Sequence, residues 1–283
     1  SDFCGHPVLG GSDRLLDLIE QHAITDLVVA ISGEMRGATF QALLDAQERG
    51  IEITRMPVAY EELRQRVPIE ILEADWILRS FVDETRVSGF YEAGKRLIDI
   101  LGGLAGVSIL LLVLPFVSLA TLLESGRPVF YMQTRLGRGG RPYQIIKFRT
   151  MRQDAEADGK PRWAKEDDER ATRVGLFLRK THLDEVPQFL NVLRGEMSLV
   201  GPRAERPQLV EHFQAHVPFY RARLLVKPGI TGWAQVNYGY AASIEETKTK
   251  LEYDLYYIKH RSLGLDLLVL FKTPGTVFGM RGQ

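Results

Sequence analysis

The sequence predicts an α/β chain in three parts, and three observations carry that reading. Residues 8–55 alternate short apolar runs with helical periodicity, Ile100 to Leu123 holds no charged residue, and the remainder is mainly helical around one glycine-turned strand pair. The expected parts are a truncated Rossmann-like module over 1–88, a linker and apolar helix over 89–125, and a mainly helical α+β domain with a β-hairpin over 126–283.

In the first part, Val8 and Leu9 begin a short strand, Gly10 and Gly11 turn it, and a helix follows from Ser12 to His22. A strand from Asp26 to Ile31, a helix from Gly37 to Arg49 and a strand from Ile51 to Arg55 complete a parallel βαβαβ pattern. Gly10, Gly11 and Ser12 lack the spaced glycines of a dinucleotide fingerprint, so a structural or regulatory remnant is favoured over a cofactor site. Residues 57–94 are mixed. Trp76 and Phe81 suit either core packing or a membrane interface, with core packing the plainer reading.

At about 1.5 Å per residue, the run from Ile100 to Leu123 reaches about 36 Å as one helix, enough for a hydrocarbon core of about 30 Å. Pro115 lies well inside it, where proline removes a backbone donor and favours a kink. Lys95 and Arg96 precede the run. Arg127, Arg135, Arg138, Arg141, Lys147, Arg149 and Arg152 follow it, with no acid between Arg127 and Asp154. Positive charge on both flanks predicts that both ends face the cytoplasm, so a Pro-kinked, re-entrant membrane helix is expected rather than a straight crossing.

Val129 to Met151 reads as a hairpin turned at Gly137 to Gly140, whose basic residues suit anionic head groups or substrate phosphates. The acidic run Glu166 to Glu169 reads as a solvated loop. His212 and His216 have a spacing zinc can use, but no third ligand accompanies them. Between Arg179 and Arg203, adjacent carboxylates, Asp184 and Glu185, open a short amphipathic helix, with Arg179 and Lys180 before it and a Gly-Pro-Arg turn after it. Acids and bases gathered at a helix start suit an anionic substrate held with a metal; helix capping is the ordinary alternative.

Composition sets wider bounds. The 283 residues have an apolar fraction of 45%, enough for two modest domains with real cores. Lysine plus arginine number 36, as do aspartate plus glutamate, so no nucleic-acid partner is expected. One cysteine, Cys4, excludes an internal disulfide and fits a reducing compartment. The opening Ser-Asp-Phe-Cys has no basic or apolar leader pattern, so no secretory signal is expected there.

Several motifs in order carry a resemblance: Lys147 to Met151 (KFRTM), Leu183 to Gln188 (LDEVPQ), Asn191 to Arg203 (NVLRGEMSLVGPR) and Lys227 to Gln235 (KPGITGWAQ). Over about residues 95–283 the chain resembles the bacterial sugar transferases, the polyprenyl-phosphate hexose-1-phosphate transferases also known as monotopic phosphoglycosyl transferases. The front module is similar to the nucleotide-binding-like module of the larger members. The resemblance implies transfer of a hexose 1-phosphate from a UDP-sugar to undecaprenyl phosphate, with release of UMP, as the first step of exopolysaccharide, capsule or O-antigen synthesis. It implies a bacterial inner-membrane enzyme on the lipid bilayer, its catalytic domain facing the cytoplasm. Mg2+ and a homo-oligomer are further expectations.

By the same resemblance, Asp184 is the nucleophile that forms a phosphosugar-aspartyl intermediate and Glu185 organises the metal, the pair being the expected metal ligands. Arg179 and Arg203 are expected on substrate phosphates, with Lys147 and Arg149 next. A carboxylate attacks phosphorus only if it stays ionised and the phosphate charge is neutralised, which agrees with this grouping. Three departures stand out. Ala204 replaces a frequent proline and is expected to loosen the Gly-Pro-Arg loop; Tyr238, Gly239 and Tyr240 stand where many members have Gly-Arg; and Leu114, not serine, precedes Pro115.

Overall fold

The computed structural model describes residues 2–31, 33–71, 89–152, 155, 169–239 and 243–277. Trp76, Phe81, Tyr240 and most of the acidic run at 166–169 lie outside the described residues. The chain divides into two compact units, Ser1–Glu73 and Ala74–Gln283.

In the first unit, β1 (Asp2–Phe3) and β2 (His6–Pro7) form a minimal antiparallel hairpin. Cys4 and Gly5 join them with φ of 53° and 84°, the double positive φ that a two-residue hairpin turn demands. A 3-10 turn at Ser12–Arg14 leads into α1 (Leu15–His22). The strands β3 (Asp26–Val29) and β4 (Glu52–Arg55) pair in parallel, Asp26 opposite Glu52, across α2 (Gly37–Glu48). Helix α3 (Met56–Arg64) follows directly.

The central βαβ unit therefore lies where its periodicity puts it. The expected strand at Val8 and Leu9 is not formed: both residues are exposed and lie outside every strand. Flanked by Pro7 and Gly10, they offer a ladder too little to pair, and the preceding residues turn back on β1 instead. Among the described residues the parallel sheet has two strands.

The second unit is organised around α4 (Gly89–Ser125), 37 residues long, or about 55 Å at 1.5 Å per residue. The helix runs through Pro115 without interruption. Among the described residues it is the one helix long and apolar enough to cross a membrane. One face is buried, with Asp99, Gly103, Gly106, Leu110, Val117 and Thr121 along it. Leu101, Leu104, Leu112, Phe116 and Leu123 remain exposed on the rest of the surface.

The buried face rests on the domain that follows. Strands β5 (Phe130–Leu136) and β6 (Pro142–Phe148) make the expected hairpin, in register from Phe130 opposite Phe148 to Leu136 opposite Pro142. Leu110 and Val117 of α4 form one apolar cluster with Phe148 of β6 and Leu178 of α5 (Arg173–Lys180), and Leu114 and Leu183 pack against it. Helix α6 (Phe189–Arg194) meets α4 at its glycines. A Cβ on Gly103 would come within 2.7 Å of Leu193, and one on Gly106 would enter the ring of Phe189.

Both ends of α4 are tied to this same domain. Near its start, Arg96 donates to the Val192 and Leu193 carbonyls in the last turn of α6. Lys95 donates to the Val200 carbonyl, Tyr257 Oη and Asp266 Oδ2, and Asp99 accepts from Ser198 Oγ and the Leu199 amide. At the far end, the two Glu124 carboxylate oxygens accept from the Arg173 and Val174 amides, capping α5. Arg149 donates to the Ser125, Gly126 and Arg127 carbonyls and to Ser125 Oγ.

This changes the meaning of the flanking basic residues. Lys95 and Arg96 read as a cytoplasmic flank in the sequence, and Arg135 and Arg149 as suited to head groups or substrate phosphates; in the structure each is engaged inside the domain. A buried guanidinium or ammonium needs several oxygen partners, and backbone carbonyls at helix ends supply them.

The rest of the unit is compact around β7 (Ser198–Val200) and β8 (Gly229–Thr231), a parallel pair. Helices α7 (Pro207–Gln214), α8 (Trp233–Asn237), α9 (Ile244–His260) and α10 (Leu263–Val277) surround it. The two C-terminal helices differ in what they bury. Helix α9 buries Leu251, Leu255, Tyr257 and Ile258, whereas α10 turns Asp266 and Val269 inward and leaves Leu267, Leu268 and Phe271 exposed. His212 and His216 of the α7 region stack at 4.8 Å, and among the described residues no group of three or more His, Cys, Asp or Glu side chains forms a metal cluster.

The glycine contacts give a direct check. Gly106→Val should cost about 3 kcal/mol, at the upper end of ordinary overpacking, because the ring of Phe189 already fills the space. Gly89→Ala, where a Cβ meets nothing, should leave stability unchanged. Thermal unfolding of the detergent-solubilised chain measures both.

Candidate active site

The segment Leu183–Gln188 folds as a 3-10 helix rather than the start of an α-helix. Residues three apart eclipse in a 3-10 helix, so Leu183 and Val186 both enter the apolar cluster beneath. Asp184 and Glu185 are left on the other side. His182 begins the turn in the left-handed region, at φ 55°, and donates no side-chain cap. Glu185 does not cap it either, since its carboxylate is engaged elsewhere. That removes capping as its reason for being there.

Two cations converge on one oxygen of Glu185. Lys147 Nζ, presented by β6, lies 2.8 Å from Oε1, and Arg203 Nη2, from the loop after β7, lies 2.6 Å from the same atom. Oε2 accepts no hydrogen bond among the described residues. Burial by itself would raise the Glu185 pKa; Arg203 and Lys147 overcome it and hold the group well below the usual carboxylate range. Arg203 is pushed up in return, chiefly by Glu185.

Asp184 differs from its neighbour although the two are adjacent. It is 9% exposed, and its carboxylate accepts no hydrogen bond among the described residues. Burial raises its pKa and Glu185 adds to this, while Lys147, Arg203 and Arg179 oppose. One carboxylate thus carries two cations on a single oxygen and is firmly ionised, and the other is desolvated and accepts no hydrogen bond among the described residues.

Arg179, on the last turn of α5, donates from Nε to Thr150 Oγ1 at 3.0 Å and adds positive charge near Asp184. Lys147, Arg179 and Arg203 therefore surround the dyad. Arg149 does not join them: its guanidinium is committed to the carbonyls at the end of α4. Arg149 lies just past the end of β6, its amide donating to the Val129 carbonyl. Pro115 lies in the helix beneath, its neighbour Leu114 packed against the cluster that supports Leu183 and Val186.

The Gly-Pro-Arg loop is firmly held. The carbonyls of Pro202, Arg203, Ala204 and Glu205 each accept a hydrogen bond, from the Gly229 amide, Arg223 Nη2, Arg135 Nη1 and the Leu136 amide. Ala204, expected to loosen the loop, is buried and anchored. The Lys227 to Gln235 motif belongs to this support, because β8 pairs with β7 and Pro228 accepts from the Ser198 amide. Arg223, Glu205, Lys250 and Asp254 went unnoticed in the sequence; separated by up to 49 positions, they share no spacing that would group them.

Three cations thus lie around two carboxylates of unequal character, over a cluster to which the apolar helix α4 contributes. The chain belongs to the bacterial sugar transferase family, which it matches over residues 90–280. It is 45% identical over 197 residues to the UDP-N-acetylgalactosamine-undecaprenyl-phosphate N-acetylgalactosaminephosphotransferase of Aeromonas hydrophila, covering 69% of this chain and 46% of that one. It is 32% identical over 289 residues to the UDP-glucose:undecaprenyl-phosphate glucose-1-phosphate transferase of Xanthomonas campestris pv. campestris, covering 98% of this chain and 58% of that one. The enzyme of the same description from Escherichia coli K12 is 42% identical over 194 residues, 67% of this chain and 41% of its own. The chain spans about half the length of these curated relatives.

The unequal pair predicts opposite effects on stability. Asp184→Asn removes a desolvated charge and should leave the melting temperature unchanged or raised. Its benefit grows as pH rises past the unfolded carboxylate value of about 3.9 and is complete above the raised folded value. Glu185→Gln strands Lys147 and Arg203 and should cost about 2 kcal/mol at neutral pH, below the range for fully buried pairs because Arg203 is partly exposed. That difference persists above the unfolded value of about 4.3 and is lost as pH falls towards the depressed folded value. Melting curves of both variants from pH 2 to 8 test the signs.

Proposed function

We propose that this chain is the catalytic part of an enzyme that transfers a hexose 1-phosphate from a UDP-sugar to undecaprenyl phosphate, releasing UMP. The product, undecaprenyl-diphosphate-sugar, primes exopolysaccharide, capsule or O-antigen synthesis. The observation that carries this reading is the division of labour within the dyad: Glu185 gathers Lys147 and Arg203, and Asp184 beside it stays unbonded. The names of the relatives supply the substrate class.

In the first half-reaction an Asp184 carboxylate oxygen attacks the sugar-bearing phosphorus. An O–P bond forms, the bond from that phosphorus to the bridging oxygen breaks, and its electron pair leaves with UMP. In the second, a phosphate oxygen of undecaprenyl phosphate attacks the same phosphorus and the aspartyl O–P bond breaks, returning the carboxylate. Lys147, Arg179 and Arg203 neutralise phosphate oxygens, so that an anionic nucleophile can approach an anionic ester. Burial of Asp184 strips water from it and sharpens every charge interaction nearby.

The donor set fits a magnesium ion, which favours one or two carboxylates and completes its shell with water and phosphate oxygens. Asp184 and the unbonded Oε2 of Glu185 would hold it, and a bound magnesium would neutralise the diphosphate and the leaving nucleotide.

The anchoring of α4 supports a re-entrant placement at the cytoplasmic face of the inner membrane. Because Lys95, Arg96 and Asp99 at one end and Glu124, Ser125 and Gly126 at the other bind one domain, a straight crossing would pull that domain through the bilayer. The exposed leucines and Phe116 would then lie in lipid, and Asp184 would sit near the surface where a water-soluble sugar nucleotide meets a lipid phosphate.

Incubation with magnesium and a panel of UDP-sugars should release UMP for at least one sugar, with release lowered at least 1000-fold in Asp184→Asn. No release across the panel would instead favour an inactive membrane-attached regulatory module. Isotope at the sugar-bearing phosphate should pass to the lipid product, and its retention in the nucleotide would exclude phosphosugar transfer. For the placement, single cysteines at the exposed positions Phe90 and Met132, in a Cys4→Ser background, should both label from the cytoplasmic side. Labelling from opposite sides would rule it out.

A further inference from the structure

We propose that Arg223 is a positioning residue whose buried fork holds the Pro202–Glu205 loop so that Arg203 meets Glu185 and the substrate phosphates. The inference rests on the reading of Arg203 as a phosphate-binding residue. Arg223 comes from the 3-10 turn Tyr220–Leu225 and is 4% exposed. Its Nη2 donates to the Arg203 carbonyl at 3.1 Å and to Asp254 Oδ2 at 2.9 Å. Its Nη1 donates to Tyr220 Oη at 2.6 Å and to Glu205 Oε1 at 3.3 Å. One guanidinium thus grips both the backbone of Arg203 and the side chain two residues on.

The partners extend the brace to other elements. Asp254, 2% exposed, sits on α9; Glu205 also binds Lys250 of α9 at 3.4 Å, and Arg135 of β5 approaches it at 3.9 Å. By contrast the Arg203 side chain is 44% exposed. A long, half-exposed side chain keeps one direction only if its backbone is fixed, and a misplacement of about 1 Å near reacting atoms costs on the order of 100-fold in rate. A buried ion pair is a poor source of stability, since apolar residues of similar volume often serve as well. What they lack is a donor for the Arg203 carbonyl.

A double-mutant cycle on UMP release by the full chain separates positioning from simple structural support. Arg223→Met combined with Asp254→Leu removes the buried pair as a unit. It should leave the fold intact and lower kcat about 10- to 100-fold, with KM for the UDP-sugar changed less than threefold. In an Arg203→Ala background the same pair of changes should cost less than twofold more. The exchange rate of the Gly229 amide, which donates to Pro202, should rise with it. Arg223→Lys, which keeps the charge and loses the fork, should show the same non-additivity at smaller size and serves if the apolar pair does not fold. Equal losses in both backgrounds would show that Arg223 supports the fold without aiming Arg203, and undiminished kcat would overturn the proposal outright. If Arg203→Ala alone keeps full activity, the reading of Arg203 itself fails, a result distinct from additivity.

Discussion

Glu185 Oε1, shared by Lys147 and Arg203, is the interaction on which the catalytic unit depends. It joins three stretches far apart in the chain: a strand of the hairpin, the 3-10 turn over the apolar cluster, and the loop after β7. A carboxylate largely removed from water cannot remain charged alone, and two cations so close cannot remain together without it. Each therefore requires the others. The electrostatic need is met on one oxygen of one residue, so the adjacent Asp184 is released from any structural duty. Burial raises its pKa, an arrangement that agrees with the proposed role as nucleophile.

The same economy governs α4. A long apolar helix must bury one face, and this one buries one and leaves the rest of its apolar surface exposed. Gly103 and Gly106 let α6 approach closely, Leu110 and Val117 complete the floor under the dyad, and the opposite surface stays apolar and exposed. Its ends are not free. Arg96 binds the last-turn carbonyls of α6, Glu124 caps α5, and Arg149 closes the end of α4 itself. The helix is therefore part of the second unit's architecture, and the floor of the site and an exposed apolar surface are two sides of one element.

Much of this was legible. The βαβ unit at Asp26 to Arg55, the hairpin, the apolar run and the Asp184–Glu185 pair follow from periodicity, turn residues and local charge, which depend on near neighbours. Arg149 shares a motif with Lys147, and only the packed chain shows its guanidinium on the carbonyls at the end of α4. Lys95 and Arg96 read as a basic cytoplasmic flank, which looks the same in sequence whether it meets lipid or the last turn of another helix. Ala204 is expected to loosen its loop because it replaces a frequent proline, but the four donors that hold the loop's carbonyls all come from distant segments.

The sequence by itself determined the order of parts, the apolar helix, the family and the two carboxylates at the centre of the site, because each is written in contiguous residues. Only the tertiary structure decided that Glu185 is the bonded partner and Asp184 the open one. It also decided that Arg149 serves the fold, that both ends of α4 return to one domain, and that Arg223 and Asp254 stand behind Arg203. These outcomes depend on which charges approach within about 3 Å and which are denied water, and neither quantity exists until distant segments pack together.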